Sequence, residues 1–498
     1  RDRAVAGAAG AAGPRGRGIS LTSTPETGRG PSMSDYLFLP MPAHGHVNPT
    51  LAVAAELTER GHRVTYLLPE AFRGAVEAAG AGLVTFDQPD GGPPRFAAGS
   101  PPPIGALMER LLTTAETVAE PLRSLYDEMA PDLVVGETMS LWATMLTASR
   151  SAASARISPS YVFGPNSPAM ARMAHGRGTD RPPFDVERMA AVARRYGLPG
   201  ADPGLVWAPG PLTVVMMPAE FHPGRELFDD TVHFVGPALG RQEESSGFPL
   251  PTSPALYISL GTVFNDRADF FRDSLDAFGG QERPVVINHG SRLGPSDFPV
   301  VPANVTLAPH VPQVEVLARS AAFVTHGGMG STMEALAAGV PMVVVPQMVE
   351  QEVTADRVAE LGAGVRLDPA DVTPARLAEA VDRVTGDPSF AAEVQRLGKT
   401  VREAGGAPAA ADLLERAAAR REAQAAAVTR RLSRPRKRAD VDVPGLDDVG
   451  GAVHLAPVGR QLRGRVLATA GPSGPGRAHP GPSAAVRVWR GRGPGPAP

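Results

Sequence analysis

The chain has 498 residues, enough for two hydrophobic cores, a net charge of −3 and only 5% aromatic residues. Near-balanced charge and scarce aromatics exclude a global field for nucleic acid or anionic membrane, and a base-stacking surface. With no cysteine, disulfides, thiolate zinc sites and a cysteine nucleophile are excluded, which fits a cytoplasmic protein; no apolar run nears the roughly 20 residues that cross a bilayer.

Residues 1–32 are Ala, Gly, Arg and Pro without an apolar core, and Met33 stands just ahead of the first predicted strand. They are expected to be a disordered or non-native extension rather than a secretory signal. A strand over 36–39 leads into a loop over 40–47. A helix over 49–60 follows, with Asn48 as its N-cap, Pro49 in its first position and Gly61 at its end. Further strands are predicted over 64–68, 133–135, 155–158 and 214–217, giving a first domain over 33–236. A Pro/Gly/Ser-rich passage containing Glu243 and Glu244 predicts a linker over 237–254. The second domain, 255–407, repeats the style, with strands over 256–260, 285–287, 305–307, 323–325 and 342–345 and a helix over 270–277. A last helix over 408–420 carries Pro408 in its first turn. From 421 to 498 the composition turns to Arg, Gly and Pro, and a disordered tail is expected. The D-x-D of Asp440 and Asp442 lies in that tail and is a chance match. Strands alternating with helices mean parallel sheets, so the fold class is α/β: two doubly wound Rossmann-like domains facing across a cleft.

Two loops carry the chemistry. In the second domain an apolar strand runs into His326-Gly-Gly-Met-Gly-Ser-Thr332, and a helix opens at Ser331 or Thr332 and closes before Gly339 and Pro341. Unpaired amides at a helix start suit a phosphate. His326 adds a donor and Glu334, one turn on, an acceptor for ribose hydroxyls, so the segment points to a nucleoside diphosphate. In the first domain Pro42-Ala-His-Gly-His-Val-Asn-Pro49 places His44 and His46 after a strand. A neutral imidazole there can take the proton of a weak hydroxyl nucleophile.

The run from His326 to Glu334, with Val345-Pro-Gln-Met-Val-Glu-Gln351, resembles the donor signature of inverting nucleotide-sugar glycosyltransferases of the GT-B fold. The bacterial macrolide-type group of the UDP-glycosyltransferase family is the most similar, over roughly residues 33–420. The resemblance implies His46, in G-H-x-N-P, as the base. Glu137 stands where relatives place an aspartate, one methylene longer. Ser259 and Thr262 fall at the donor phosphates, and His310, Val311 and Gln313 at the nucleobase, with His310 where many relatives carry a stacking tryptophan. His326, Gly328, Gly330 and Ser331 fall at the diphosphate, Glu334 at the ribose, and Glu350 with Gln351 at the sugar. The stretch 147–154 departs from the family's helix and Gly-Val-Pro turn. The last helix is expected to cross back onto the first domain.

The reading is a metal-independent transferase that needs no cofactor beyond its nucleotide-sugar co-substrate. It would move a hexose from UDP-glucose or a dTDP-sugar to a hydroxyl of a small apolar acceptor, a macrolide or phenol. A non-catalytic nucleotide-sugar binder is the alternative, on the strength of Glu137 and 147–154. A dinucleotide oxidoreductase lacks its G-x-G-x-x-G turn. The regions 86–129 and 163–207 would choose the acceptor. Ile104, Leu107, Leu111, Tyr161 and Phe163 there and nearby suit either a greasy pocket or ordinary core. No nucleic-acid or membrane partner is expected, and oligomeric state is left open.

Overall fold

The computed structural model describes residues 33–87, 104–150, 152–163, 185–198, 208–239, 247–261 and 265–433. The expected extension 1–32, Glu243 and Glu244, Asp440 and Asp442, and all positions beyond 433 lie outside them. Among the described residues, strands β1 (Asp35–Leu39), β2 (Arg63–Leu68), β3 (Gly82–Thr85), β4 (Leu133–Glu137), β5 (Ser154–Ser158), β6 (Thr213–Val215) and β7 (Val232–Phe234) form one sheet. Its order is β3-β2-β1-β4-β5-β6-β7, with every pairing parallel. Its helices are α1 (His44–Glu59), α2 (Arg73–Ala78), α3 (Ile104–Met129), α4 (Leu141–Arg150) and α5 (Val186–Tyr196). All of β1 is buried, which is why its sequence reads as a nearly continuous apolar run rather than an alternating one. Its one charge, Asp35, is held by the Arg63 guanidinium at 2.7 Å.

The second sheet contains β8 (Ala255–Ser259), β9 (Val285–Asn288), β10 (Val305–Ala308), β11 (Ser320–Thr325), β12 (Met342–Val344) and β13 (Gly364–Arg366), in the order β10-β9-β8-β11-β12-β13. Helices α6 (Ala268–Phe278), α7 (Gln313–Leu317), α8 (Met329–Ala338), α9 (Val349–Glu360), α10 (Pro374–Gly386), α11 (Pro388–Glu403) and α12 (Gly406–Ser433) complete this part of the chain. Both sheets are doubly wound. Their strand order reverses at β1/β4 and at β8/β11, the switch points where such sheets open a crevice beyond the strands' carboxyl ends.

Local differences from the expectation have identifiable causes. Helix α1 opens at His44 with Ala43 as its extended N-cap, and Pro49 lies inside it. The Ala43 carbonyl already accepts from the His46 and Val47 amides at 2.9 Å. Pro49 therefore forgoes only the bond to the Gly45 carbonyl, and Asn48 caps nothing. Helix α8 likewise starts at Met329, earlier than the expected Ser331. Strands β3, β7 and β13, absent from the prediction, are all sheet edges, where short mixed sequences suffice because pairing is one-sided. The stretch 147–154 supplies the end of α4 and the start of β5. The Thr147 and Ser149 hydroxyls bond carbonyls of the preceding turn, so weak amphipathicity there conceals an ordinary helix. Leu111, Tyr161 and Phe163 are buried in the main apolar cluster and read as core; the side chain of Ile104 lies outside the described residues.

Helix α12 runs to Ser433, past the expected end at 420. Residues 417–427 are rich in alanine, which favours helix without any apolar stripe. Its first half belongs to the first domain. Ala410, Ala411, Leu414 and Ala418 pack with Tyr36, Phe38, Val47 and Val53, and Arg60 bonds Asp412 at 2.6 Å and Glu415 at 3.0 Å. Leu414 is fully buried, so Leu414→Ala should cost about 2–5 kcal/mol, read as a lowered Tm in calorimetry. No helix among the described residues is long and apolar enough to cross a membrane.

Candidate active site

The first sheet's switch point brings His46 and Glu137 together. His46 sits in the first turn of α1, just after β1, and Glu137 ends the neighbouring strand β4. His46 Nδ1 stands 3.2 Å from Glu137 Oε1, with the histidine 22% exposed and the glutamate 1%. The approach has ion-pair distance but lies off the N–H axis, so Nδ1 makes no aligned hydrogen bond. Oε1 also accepts from the Thr138 hydroxyl at 2.7 Å and the Met139 amide at 3.0 Å, whereas Oε2 is buried without a partner. The turn after β4 thus folds back onto the carboxylate and gathers its longer side chain. Burial pulls His46 down, but the charges of Glu137 and Glu350 and the contact with Glu137 outweigh it, leaving its pKa raised. Burial would lift Glu137, yet His46 and the Thr138 and Met139 donors hold it below the ordinary carboxylate value. With Nδ1 turned to the carboxylate, Nε2 is the ring nitrogen left to take a proton.

The second switch point has another arrangement. His326 follows β11, and its ring lies between the backbones of Gly261 and Gly328. A Cβ at either glycine would come within 2.6 Å of the imidazole. Gly261 also has a φ of +77°, so glycine is needed there twice over. Burial takes the His326 pKa down to about 4, only partly offset by the Ser259 carbonyl. At neutral pH this ring carries no charge and has a single N–H. Positive potential comes instead from α8, whose first internal bond is Thr332 N–H to the Gly328 carbonyl at 2.9 Å; the amides of Met329, Gly330 and Ser331 precede it. Behind them Gln313 donates to Ser331 Oγ at 3.0 Å and Glu334 Oε2 at 2.6 Å, and accepts from Tyr257 OH at 3.0 Å. Burial raises the Glu334 pKa, with the Gln313 bond opposing it. Tyr257 of β8 stacks on Phe323 of β11 at 4.8 Å, which locks the two strands that frame the site.

Residues 273–418 match the family model for the C-terminal domain of erythromycin biosynthesis protein CIII-like proteins. The NDP-glycosyltransferase YjiC of Bacillus subtilis is 35% identical over 389 residues, covering 75% of this chain and 95% of that protein. The chain is a macrolide-type member of the UDP-glycosyltransferase family. The demethyllactenocin mycarosyltransferase of Streptomyces fradiae is 34% identical, over 77% of this chain and 86% of its own. Among solved structures, the glycosyltransferase of kitacinnamycin superposes with a TM-score of 0.68 at 31% identity, covering 78% of this chain and 99% of that one. The fold is GT-B, and the protein is a glycosyltransferase of natural-product type with nucleotide-sugar donors.

Within this glycosyltransferase the predicted site residues divide. His46, Glu137 and Glu350 share one field, and Glu350 accepts from the Ser160 hydroxyl of the first domain. Ser259, His326, Gly328, Gly330, Ser331 and Glu334 gather at the second switch point. Gln351 is turned inward, its side-chain oxygen accepting from the Gln347 amide at 2.8 Å. Gln313 bonds Ser331 and Glu334 and so braces the site. Val311 is core at 3% exposure, leaving only its backbone for a ligand. His310 stands exposed on the loop before α7, and Thr262 lies outside the described residues. Sequence reasoning missed Thr138, Tyr257, Asn265, which donates to the Gly261 carbonyl at 2.8 Å, and Ser160. Thr138 had a signal, a hydroxyl directly after a strand-end carboxylate; Asn265 bonds only four residues back, while Tyr257 and Ser160 meet their partners only through tertiary structure. Gln313→Ala should weaken UDP or dTDP binding about tenfold, measured by titration calorimetry, because it strips Glu334 and Ser331 of a shared donor.

Proposed function

We propose that this glycosyltransferase is inverting and works without a resident metal, moving a hexose from UDP-glucose or a dTDP-sugar to a hydroxyl of a macrolide or phenolic acceptor. The 3.2 Å approach of His46 to Glu137, on the acceptor-side sheet, carries the reading. Nε2 of His46 takes the acceptor's proton as its oxygen bonds to the anomeric carbon from the face opposite the diphosphate. The bond from that carbon to the diphosphate breaks, and its electron pair leaves on the phosphate oxygen. Glu137 stabilises the imidazolium that forms. The α8 amides and the Ser331 hydroxyl meet the departing charge as a preorganised set, with the neutral His326 ring packed beside them. Glu334 holds the ribose and Glu350 the sugar, with the side-chain NH2 of Gln351 left free of the Gln347 bond. An α-linked donor then yields a β-glycoside. The ion-pair distance to Glu137, despite its extra methylene, supports turnover over the non-catalytic alternative.

Mass spectrometry of products from a panel of phenols and macrolides, each given UDP-glucose and dTDP-glucose, tests this. A product heavier by one hexose, with β configuration by NMR coupling, is expected. No product from any pairing, while UDP or dTDP still binds, would rule out this substrate class.

A further inference from the structure

The seam between the domains runs along one face of α9. Glu350, Thr354 and Arg357 follow one another at spacings of four and three and so line up on a helix. Each engages the first domain. Glu350 accepts from Ser160 Oγ, and Thr354 Oγ1 contacts the buried Tyr161 hydroxyl at 3.2 Å. Arg357 donates to the Glu220 carbonyl at 2.7 Å and the Phe221 carbonyl at 3.1 Å. Those carbonyls lie in a short turn where Phe221 N–H bonds the Pro218 carbonyl and His222 N–H bonds that of Ala219. No helix continues to satisfy them, and the planar guanidinium fork does so instead. The two first-domain loops are tied to each other by Val162 N–H bonding His222 Nε2 at 3.3 Å. The Glu220 carboxylate adds a bond to Arg396 of α11 at 2.6 Å.

We propose that Arg357, backed by Tyr161, is a positioning residue for the sugar half of the donor site. It fastens α9 to the first domain so that Glu350, at the helix's other end, stands at a set distance from His46. This rests on the reading of Glu350 as a sugar contact. The base and the sugar-binding carboxylate belong to different domains, and a misplacement of about 1 Å costs on the order of 10²-fold in rate. The nucleotide half is braced within the second domain by Gln313 and Tyr257, so the seam governs the sugar separately from the nucleotide.

The experiment compares Kd for UDP with UDP-glucose, and for dTDP with dTDP-glucose, by calorimetry in wild type, Arg357→Ala, Arg357→Lys and Tyr161→Phe. Arg357→Ala should weaken the nucleotide sugar about tenfold and leave the bare nucleotide unchanged. Tyr161→Phe should move the same ratio less, and Arg357→Lys should recover part of the loss. Equal weakening of both ligands, or an unchanged ratio, overturns the proposal. If Arg357→Ala does not fold, Tyr161→Phe, which removes a single oxygen, decides by the same ratio. Because the readout is binding, failure of the proposed transfer reaction would appear separately, as wild type that binds donor and glycosylates nothing.

Discussion

Replacing His46 by alanine is expected to reduce transfer on the order of 10²–10⁴-fold, the usual contribution of a general base, while Kd for UDP or dTDP holds. The imidazole sits at the first sheet's switch point, whereas the amides of α8, His326 and Glu334 sit at the second. In the proposed mechanism the substitution removes the path for the acceptor proton without touching the nucleotide. His44→Ala is the matched control. His44 is exposed at the start of α1 and rests against the Phe72 ring at 5.2 Å, so its removal should leave kcat near wild type. Single-turnover rates with saturating donor make the comparison, and equal losses in the two variants would move the base away from His46.

Glu137→Gln is expected to change both the height and the position of the pH profile. In the proposed role His46 works only when neutral. Since His46 has a pKa raised above 6.5, kcat/KM should rise with pH through a point above that value. Glutamine removes the opposing charge, burial then dominates, and the acid limb should move to lower pH. The plateau should fall roughly 10²-fold, because the imidazolium formed during attack loses its counter-charge. Initial rates across about pH 5–9 test it, and an acid limb that stays in place in the variant would show that Glu137 does not set the base.

The same pair sets a stability window. Glu137 has a lowered pKa, so its share is present above 4.5 and fades as pH falls through its folded value. His46 has a raised one, so its share is present below 6.5 and fades as pH rises through its folded value. The Tm gap between wild type and Glu137→Gln should therefore be widest between 4.5 and 6.5.

The sequence by itself determined the strands whose apolar runs are buried on both faces, such as β1, β8 and β11, because burial on two sides forces a continuous hydrophobic composition. It also determined the glycine-rich start of α8 and the histidines after β1, since amide-lined turns and strand-end imidazoles have local signatures. The edge strands β3, β7 and β13 stayed hidden, as one-sided pairing asks little of composition. Where α1 begins was decided by the Ala43 carbonyl, which makes His46 a helix residue rather than a loop residue. Only the tertiary structure decided that Gln313 braces Glu334 and Ser331 and accepts from Tyr257. Only it could show that Ser160, Tyr161 and Arg357 join the domains along α9. Each of these depends on polar atoms brought together by the docking of separate elements, and a hydrogen bond between distant residues leaves no periodicity in either partner's sequence.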